Sequence, residues 1–275
     1  LPRFGITHTF VDFTDLQAVR AAVTPETKLL YIETPSNPML GITDIASIVN
    51  IAKEVGALTF LDNTFMTPIH QRPLDLGVDV VIHSATKFLS GHSDIVAGLV
   101  VTKDPTLSEQ VYFIQNSFGS CLGVQDSFTL IQNMKTTAVR FNESARVASV
   151  LATFLDNHPL VEKVYYPGLA SHPGADIHAR QSTSAGAVLS FSLPSYDVAK
   201  VFVEAMQIPV FAVSLGGVES ILSYPAKMSH AAMEPEERAK RGITDGLLRF
   251  SVGLENEHDL LEDFAQALEK ALQVK

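Results

Sequence analysis

Short apolar runs alternate with helical stretches through the first half of the chain. Residues 28–32, 58–61 and 78–82 have the length and composition of buried strands, and residues 44–55 carry apolar side chains at helical spacing. Strands separated by helices pair in parallel, since each connection has to cross over the sheet. Because these runs are apolar on both faces, we expect a mostly parallel sheet with helices on both sides.

The start of the chain is predicted to add one strand and one helix. Residues 6–11 form a short apolar run that we interpret as a strand. Residues 14–22 carry apolar side chains at helical spacing, and Thr14 is placed to cap this helix.

The second half of the chain follows a long helical pattern over residues 124–154, which contains neither Pro nor Gly. Further elements are predicted beyond it, as strands at residues 161–165, 187–193 and 248–252 and as helices at residues 197–206 and 260–272. A chain of 275 residues has room for two domains. We therefore expect an α/β fold with a large domain at residues 1–142 and a smaller α+β domain at residues 143–275.

The charge and cysteine content exclude several classes of function. With 20 Lys and Arg against 30 Asp and Glu, the chain lacks the basic surface of a nucleic-acid partner. Its one cysteine, Cys121, can form neither an internal disulfide nor a thiolate metal cage, and His83, His92 and Asp94 match no closed metal site. No apolar run reaches the roughly 18 residues of a membrane span. We expect a cytoplasmic protein without a metal.

Polar side chains follow three of the predicted strands where each strand ends. Glu33 and Asn37 follow the first, Asp62 follows the second, and Ser84, Thr86 and Lys87 follow the third. In an open α/β sheet, ligands bind at the carboxyl ends of the strands, so these residues define a candidate site. Ordinary strand ends also carry polar turns, so their order along the chain leaves both interpretations open.

The residue types at these strand ends suit one kind of chemistry. A lysine just after a buried strand is desolvated, which lowers its pKa and lets it attack carbonyls as a free amine. An aspartate on the neighbouring strand can pair with a protonated pyridine nitrogen, as pyridoxal-phosphate (PLP) enzymes require. The hydroxyls of Ser84 and Thr86 suit phosphate oxygens. The alternative, in which Asp62 caps the next turn and Lys87 extends to solvent, is equally open on the residues alone.

Five segments of the chain carry a further signal together. They are Glu-Thr-Pro-Ser-Asn-Pro at 33–38, Asp-Asn-Thr-Phe at 62–65, Ser-Ala-Thr-Lys-Phe-Leu-Ser-Gly-His-Ser-Asp at 84–94, Ser-Leu-Gly-Gly-Val-Glu-Ser at 214–220 and Arg-Phe-Ser-Val-Gly-Leu-Glu at 249–255. Together these segments resemble the Cys/Met-metabolism PLP-dependent enzymes, a family of cystathionine β-lyases, γ-lyases and γ-synthases and methionine γ-lyases. The resemblance covers essentially the whole chain and implies fold type I. It also implies a homotetramer, built as a dimer of dimers with shared active sites, that acts on a sulfur amino acid.

The resemblance implies a role for individual residues around the cofactor. Lys87 matches the lysine that forms the Schiff base with pyridoxal 5'-phosphate, and Asp62 matches the partner of the pyridinium nitrogen. Ser84 and Thr86 match phosphate ligands.

The resemblance also implies a set of substrate-binding residues. Asn37, Ser214 and Arg249 match groups around the cofactor's phenolic oxygen and the substrate carboxylate. For Arg249 the chemistry agrees, because a planar guanidinium binds a carboxylate through two hydrogen bonds.

Two positions bear on which member of the family the chain resembles. Members that react at the γ-carbon commonly carry a glutamate before the Ser-Leu-Gly motif, and this chain has Val213, which cannot transfer a proton. We therefore expect β-elimination of cystathionine to homocysteine, pyruvate and ammonia, with a γ-lyase or γ-synthase as the alternative. The chain also has Gln132-Asn133 where family members usually have Arg-Gly.

The motifs occur earlier in this chain, which begins at Leu1, than in family members. We therefore expect that an N-terminal segment is missing, one that carries a Gly-Ser-Gly phosphate loop, a tyrosine stacked on the cofactor and an arm that completes a neighbouring site. The alternative to an enzyme is therefore an inactive truncated subunit that serves as a scaffold.

Overall fold

The first half of the chain forms a four-stranded sheet in the order β1-β2-β3-β4. In the computed structural model, which describes residues 1–228, 233, 234, 236, 238 and 241–274, β1 pairs with β2 and β2 with β3 in parallel, and β3 pairs with β4 antiparallel. The mostly parallel sheet is confirmed. Its strands are β1 (Leu29–Glu33), β2 (Leu58–Asp62), β3 (Val80–Ser84) and β4 (Gly98–Thr102).

Helix α2 (Ile45–Val55) covers one face of this sheet. Asp44 caps it by accepting a hydrogen bond from the Ser47 amide at 3.0 Å, and Gly56 ends it in a left-handed conformation. Its buried side chains pack against Leu30, Ile32 and Leu61 of the sheet. The opposite face carries the exposed Leu29 and Tyr31, so the expectation that helices cover both faces is wrong for the described part of the chain.

Two predictions near the start of the chain are wrong. Residues 6–11 are irregular and form no strand, because this run is mostly exposed and pairs with no described strand. The helix that follows, α1 (Leu16–Ala22), is capped by Asp15 and not by Thr14. The Asp15 carboxylate accepts from two amides of the first turn, whereas Thr14 donates its hydroxyl to Asp12.

The predicted long helix is divided in two. Helices α5 (Val124–Met134) and α6 (Thr137–Asp156) are separated at Lys135 and Thr136, where the Thr136 hydroxyl and amide both donate to the Asn133 carbonyl. Two more helices of this half were not predicted, α3 (Thr67–His70) and α4 (Pro105–Phe118), and 3-10 turns occur at Pro2–Phe4 and Pro73–Leu76.

The second half of the chain forms a five-stranded sheet in the order β5-β6-β9-β8-β7, antiparallel except for the β7–β8 pair. Phe191, Phe202, Phe250 and Phe264 form the centre of its core. The α+β character of this half is confirmed. Its elements are β5 (Lys163–Tyr165), α7 (Ala175–Gln181), β6 (Val188–Ser192), α8 (Tyr196–Ala205), β7 (Val210–Phe211), β8 (Ile221–Ser223), a 3-10 turn at Pro225–Lys227, β9 (Leu247–Ser251) and α9 (Glu257–Leu272).

Helix α6 connects the two halves. Phe141 in its second turn packs with Leu40 and Phe88 of the first half, and Leu151 and Leu155 lie in the core of the second. The domain boundary between residues 142 and 143 would divide this helix, and it stays a prediction. Within the described residues, no helix has the length and apolar character needed to cross a membrane.

Candidate active site

Lys87 lies in a turn over residues 85–90 that follows strand β3. Its Nζ donates a hydrogen bond to Ser214 Oγ at 2.8 Å, across 127 positions of the sequence. Burial lowers the pKa of Lys87, and the nearby Arg249 guanidinium lowers it further. The Lys87 amine therefore gives up its proton more readily than an exposed lysine and can act as a nucleophile or a base.

Ser214 links Lys87 to the second sheet. It lies between β7 and β8, and its φ of 95° is in the left-handed region, which residues with a Cβ rarely adopt. The Ser214 carbonyl accepts a hydrogen bond from Arg249 Nη2 at 2.6 Å, while its hydroxyl accepts from Lys87. Such unfavourable backbone conformations cluster at functional sites, where the surrounding contacts hold them in place.

Arg249 in strand β9 holds three groups with its guanidinium. Besides Ser214, Nη1 donates to Asn37 Oδ1 at 2.9 Å and Nη2 donates to Ser223 Oγ at 3.1 Å. The residue is buried, and burial lowers its pKa to about 10 although Glu33 acts in the opposite direction. Each of these acceptors is uncharged, so the cation remains able to attract a carboxylate.

Two carboxyl groups lie side by side at the carboxyl edge of the first sheet. Glu33 and Asp62 are paired in register at the ends of β1 and β2, which places both side chains on one face. Asp62 Oδ1 accepts from the Thr64 amide at 2.9 Å, and Glu33 Oε1 accepts from the Asn37 amide at 3.2 Å.

Glu33 has an unusual affinity for its proton. Water reaches its side chain, yet protein atoms surround the carboxyl closely, and this desolvation together with the charge of Asp62 raises the pKa of Glu33 to about 7.

The two predicted phosphate ligands lie at the end of strand β3, where Ser84 is the last residue of the strand and Thr86 lies in the turn after it. Ser84 is held by its amide, which donates to Thr64 Oγ1 at 2.8 Å, and its side chain is on the same face as Asp62. The Thr86 hydroxyl accepts from the Ala97 amide at 2.9 Å and donates to the Ala97 carbonyl at 3.3 Å. Thr86 would have to release the second of these bonds to donate to a phosphate, so its role and that of Ser84 stay predictions.

Hydrogen bonds thus join four of the seven predicted site residues, Lys87, Ser214, Arg249 and Asn37. The other three, Asp62, Ser84 and Thr86, lie at the same strand ends without a bond to this group among the described contacts. Ser223, which shares Arg249 with Ser214, was not predicted. The feature that could have identified Ser223 is strand pairing, because it lies opposite Arg249 in the register of β8 and β9.

Asn133, of the Gln132-Asn133 pair that departs from the expected Arg-Gly, makes contacts close to Lys87. Asn133 Nδ2 donates to Ser90 Oγ at 3.0 Å and to Asp94 Oδ2 at 3.0 Å, and so attaches the end of α5 to the segment after Lys87. The exposed Gln132 accepts from Lys135 Nζ at 3.0 Å.

Comparison with known proteins identifies the family. The model for "Cys/Met metabolism PLP-dependent enzyme" matches residues 1–269. The chain belongs to this family. A cystathionine beta-lyase MetC from Bacillus subtilis (strain 168) is 62% identical over 270 residues, which are 98% of this chain and 69% of that relative. A cystathionine gamma-lyase from the same organism is 48% identical over 269 residues, 98% of this chain and 71% of the relative.

Solved structures agree with this assignment. A cystathionine gamma-lyase from Lactobacillus plantarum, complexed with L-serine, superposes with a TM-score of 0.96 at 45% identity and covers 98% of this chain and 71% of its own. A cystathionine gamma synthase from Xanthomonas oryzae pv. oryzae superposes with a TM-score of 0.94 at 44% identity, and the match covers 96% of this chain and 69% of that structure's chain. The predicted fold type I and the cofactor of this family, pyridoxal 5'-phosphate, are thereby confirmed.

The donor set at the strand ends fits this cofactor. A partly buried amine is available for the aldehyde at Lys87, a carboxylate for the ring nitrogen at Asp62, and a hydroxyl for the phosphate at Ser84. Within the described residues, no group of three or more His, Cys, Asp or Glu side chains could hold a metal ion.

Glu33→Gln should change how stability depends on pH. Because the pKa of Glu33 is raised from 4.5 to about 7, only the folded chain holds this proton between those values, and the free energy of unfolding falls as the pH rises through them. Glutamine cannot ionise. The free energy of unfolding of the variant, measured relative to that of wild type, should therefore rise by about 1 kcal/mol from about pH 4 to about pH 8, a value reduced for solvent screening.

Urea unfolding at both pH values measures this difference. Glu109→Gln on the exposed surface of α4 is the matched control and should show no such gain. An equal stability difference between Glu33→Gln and wild type at both pH values would contradict the assignment.

Proposed function

We propose that this chain is a PLP-dependent carbon–sulfur lyase that carries out β-elimination on cystathionine. The products are homocysteine, pyruvate and ammonia. The observation that carries the proposal is the hydrogen-bonded series from Lys87 through Ser214 to Arg249, which places a free amine and a carboxylate-binding cation in one site. The 62% identical cystathionine beta-lyase supports the same reaction.

The residues of the chain divide the work of the reaction. Arg249 binds the substrate carboxylate through its guanidinium. Lys87 removes the Cα proton, for which its lowered pKa suits it. Asp62 holds a proton on the ring nitrogen of the cofactor. When bound, the cofactor supplies an electron sink for the charge that develops at Cα.

The bond changes of the elimination balance with one water. The electron pair of the Cα–H bond forms the Cα–Cβ double bond, the Cβ–S bond breaks, and the sulfur leaves as the thiol of homocysteine after taking up a proton. Lys87 is the group placed to deliver that proton. Water then converts the three-carbon fragment into pyruvate and ammonia.

Val213 supports β-elimination over a γ-reaction. It directly precedes Ser214, is 64% exposed, and has no group that can move a proton to or from the outer carbons of a substrate. The γ-lyase and the γ-synthase remain the alternatives, because relatives of both kinds are similar to the chain.

Product analysis with cystathionine tests the reaction and Lys87 together. We expect pyruvate and not 2-oxobutyrate, a preparation with the visible absorbance of bound PLP, and loss of that absorbance in Lys87→Ala. Turnover of the variant should fall at least about 100-fold, the scale of a lost general base. Lys103→Ala, which removes an exposed lysine paired with Asp75, is the matched control.

Three other results would change the conclusion. Formation of 2-oxobutyrate would identify a γ-lyase. A colourless preparation that added PLP does not restore would favour the inactive scaffold. Retention of absorbance and turnover in Lys87→Ala would overturn the assignment of Lys87.

We also propose the homotetramer of the family, a dimer of dimers with shared active sites. Helices α4 and α5 present large apolar side chains to solvent, among them Phe113 at 70% and Phe118 at 82% exposure. Exposed apolar patches of this kind mark protein interfaces.

Light scattering after gel filtration tests the assembly. The doubly substituted Phe113→Asp, Phe118→Asp protein should have a lower mass than wild type, because charges disfavour burial of this surface. Glu109→Lys, on the same helix, should keep the wild-type mass. A monomeric wild type would contradict the assembly.

The cytoplasm is the compartment that we propose, since the single cysteine, Cys121, is free and exposed. Recovery of the native chain mainly in a membrane or secreted fraction would contradict it.

A further inference from the structure

The turn that carries Lys87 ends like a short helix. The Ser90 amide donates to the Ala85 carbonyl at 2.9 Å, and the Gly91 amide donates to the Lys87 carbonyl at 2.7 Å. The next two carbonyls, of Phe88 and Leu89, point away from the turn in the manner of the last carbonyls of a helix and need donors from elsewhere.

Arg140 of helix α6 supplies those donors. Nη1 donates to the Phe88 carbonyl at 3.0 Å, and Nη2 donates to the Leu89 carbonyl at 3.3 Å. The Thr137 hydroxyl adds a second bond to Leu89 at 3.2 Å. A cation at the carboxyl end of a helical turn is also favoured by the turn's dipole.

The other bonds of Arg140 fix its guanidinium in place. Nε donates to Thr136 Oγ1 at 3.0 Å, and Nη2 donates to the Asn133 carbonyl at 3.0 Å. Arg140 is 9% exposed, and in the described part of the chain no carboxylate forms an ion pair with it. A buried cation bound only by neutral acceptors is costly, and burial lowers the pKa of Arg140.

The packing around the turn leaves little space for it to move. A Cβ on Gly91 would lie 1.9 Å from Arg140 Nη1, and a Cβ on Gly216 would lie 2.7 Å from the Phe88 nitrogen. The Phe88 ring meets Phe141, the residue after Arg140, edge to face at a centroid distance of 4.8 Å. Helix α6 and the loop after Ser214 thus enclose the backbone of Lys87 from both sides.

We propose that Arg140 is a positioning residue, which fixes the main chain beside Lys87 so that Nζ keeps its hydrogen bond to Ser214. This inference rests on the role proposed for Lys87. No described hydrogen bond joins Arg140 to a predicted site residue, and its link to Lys87 runs through the carbonyls of Phe88 and Leu89. Lysine in its place would keep the charge but could not hold both carbonyls with a planar fork.

The test measures the state of Lys87 in protein from which bound PLP has first been removed, so that its amine is free. Acetic anhydride reacts with unprotonated amines, and mass spectrometry of the Lys87 peptide against pH gives the titration midpoint of this amine in the folded chain. In wild type we expect a midpoint below that of the exposed Lys103. In Arg140→Lys and Arg140→Met, the midpoint of Lys87 should move at least halfway to the midpoint of Lys103, because Nζ is no longer held against Ser214.

Two variants on the same helix complete the set. Arg146→Lys changes an exposed arginine paired with Glu143 and should leave the Lys87 midpoint unchanged. Thr137→Val removes one bond to Leu89 and one acceptor of Arg140 Nη2, and it should shift the midpoint in the same direction as the Arg140 variants, but less. Thermal unfolding shows which variants are folded, and if neither Arg140 variant folds, Thr137→Val decides alone.

Activity provides the second measurement. With cystathionine, kcat of the Arg140 variants should fall about 100-fold, as a misplaced catalytic group of an enzyme does, while KM stays near the wild-type value. An unchanged Lys87 midpoint in the folded variants, or an equal shift in Arg146→Lys, would overturn the inference. If wild type forms no pyruvate and binds no PLP, the proposed function fails. The Lys87 midpoint in the Arg140 variants would still show whether Arg140 positions Lys87.

Discussion

The hydrogen bond from Lys87 to Ser214 is the contact on which the site depends. Lys87 follows a strand of the first sheet, and Ser214 lies between two strands of the second, so this bond exists only when both sheets are formed and in contact. Arg249 completes the connection, because it holds the Ser214 carbonyl and the Asn37 side chain together. The site is therefore a product of tertiary structure, although each of its residues is placed by a local element.

Burial and neighbouring charges, more than ion pairs, determine which groups of the site are charged. Arg249 is buried with uncharged acceptors, and Glu33 nearby tends to keep its proton near neutral pH. Asp62, paired in register with Glu33, is the carboxylate that we propose for the ring nitrogen of the cofactor. Lys87 faces the same positive centre, which favours its free-amine form. The cation that we propose for the substrate and the amine that we propose for the reaction therefore lie in one site, and the charge of Arg249 helps to keep the Lys87 amine neutral.

Strand ends made part of this site predictable from the sequence. Asp62 and Lys87 follow apolar runs, and the rule that ligands bind at the carboxyl ends of parallel strands selects them. Ser214 and Arg249 were found only through the resemblance to a family, because nothing local to them indicates a neighbour in the first sheet. Ser223 and Arg140 were not found, since their roles arise from strand pairing and from carbonyls 52 positions away along the chain. The strand expected at residues 6–11 failed because apolar composition does not supply a pairing partner.

Helix α6 restricts how the two halves of this protein can move. Near its start, Arg140 and Phe141 lie against the turn that carries Lys87, and near its end, Leu151 and Leu155 lie in the other core. A hinge near residue 142 would have to break main-chain hydrogen bonds in the middle of a helix, where backbone freedom is lowest. Helix α6 therefore couples the two cores, and the parts of the site that lie outside helices and strands are the loops around Ser214 and Asn37.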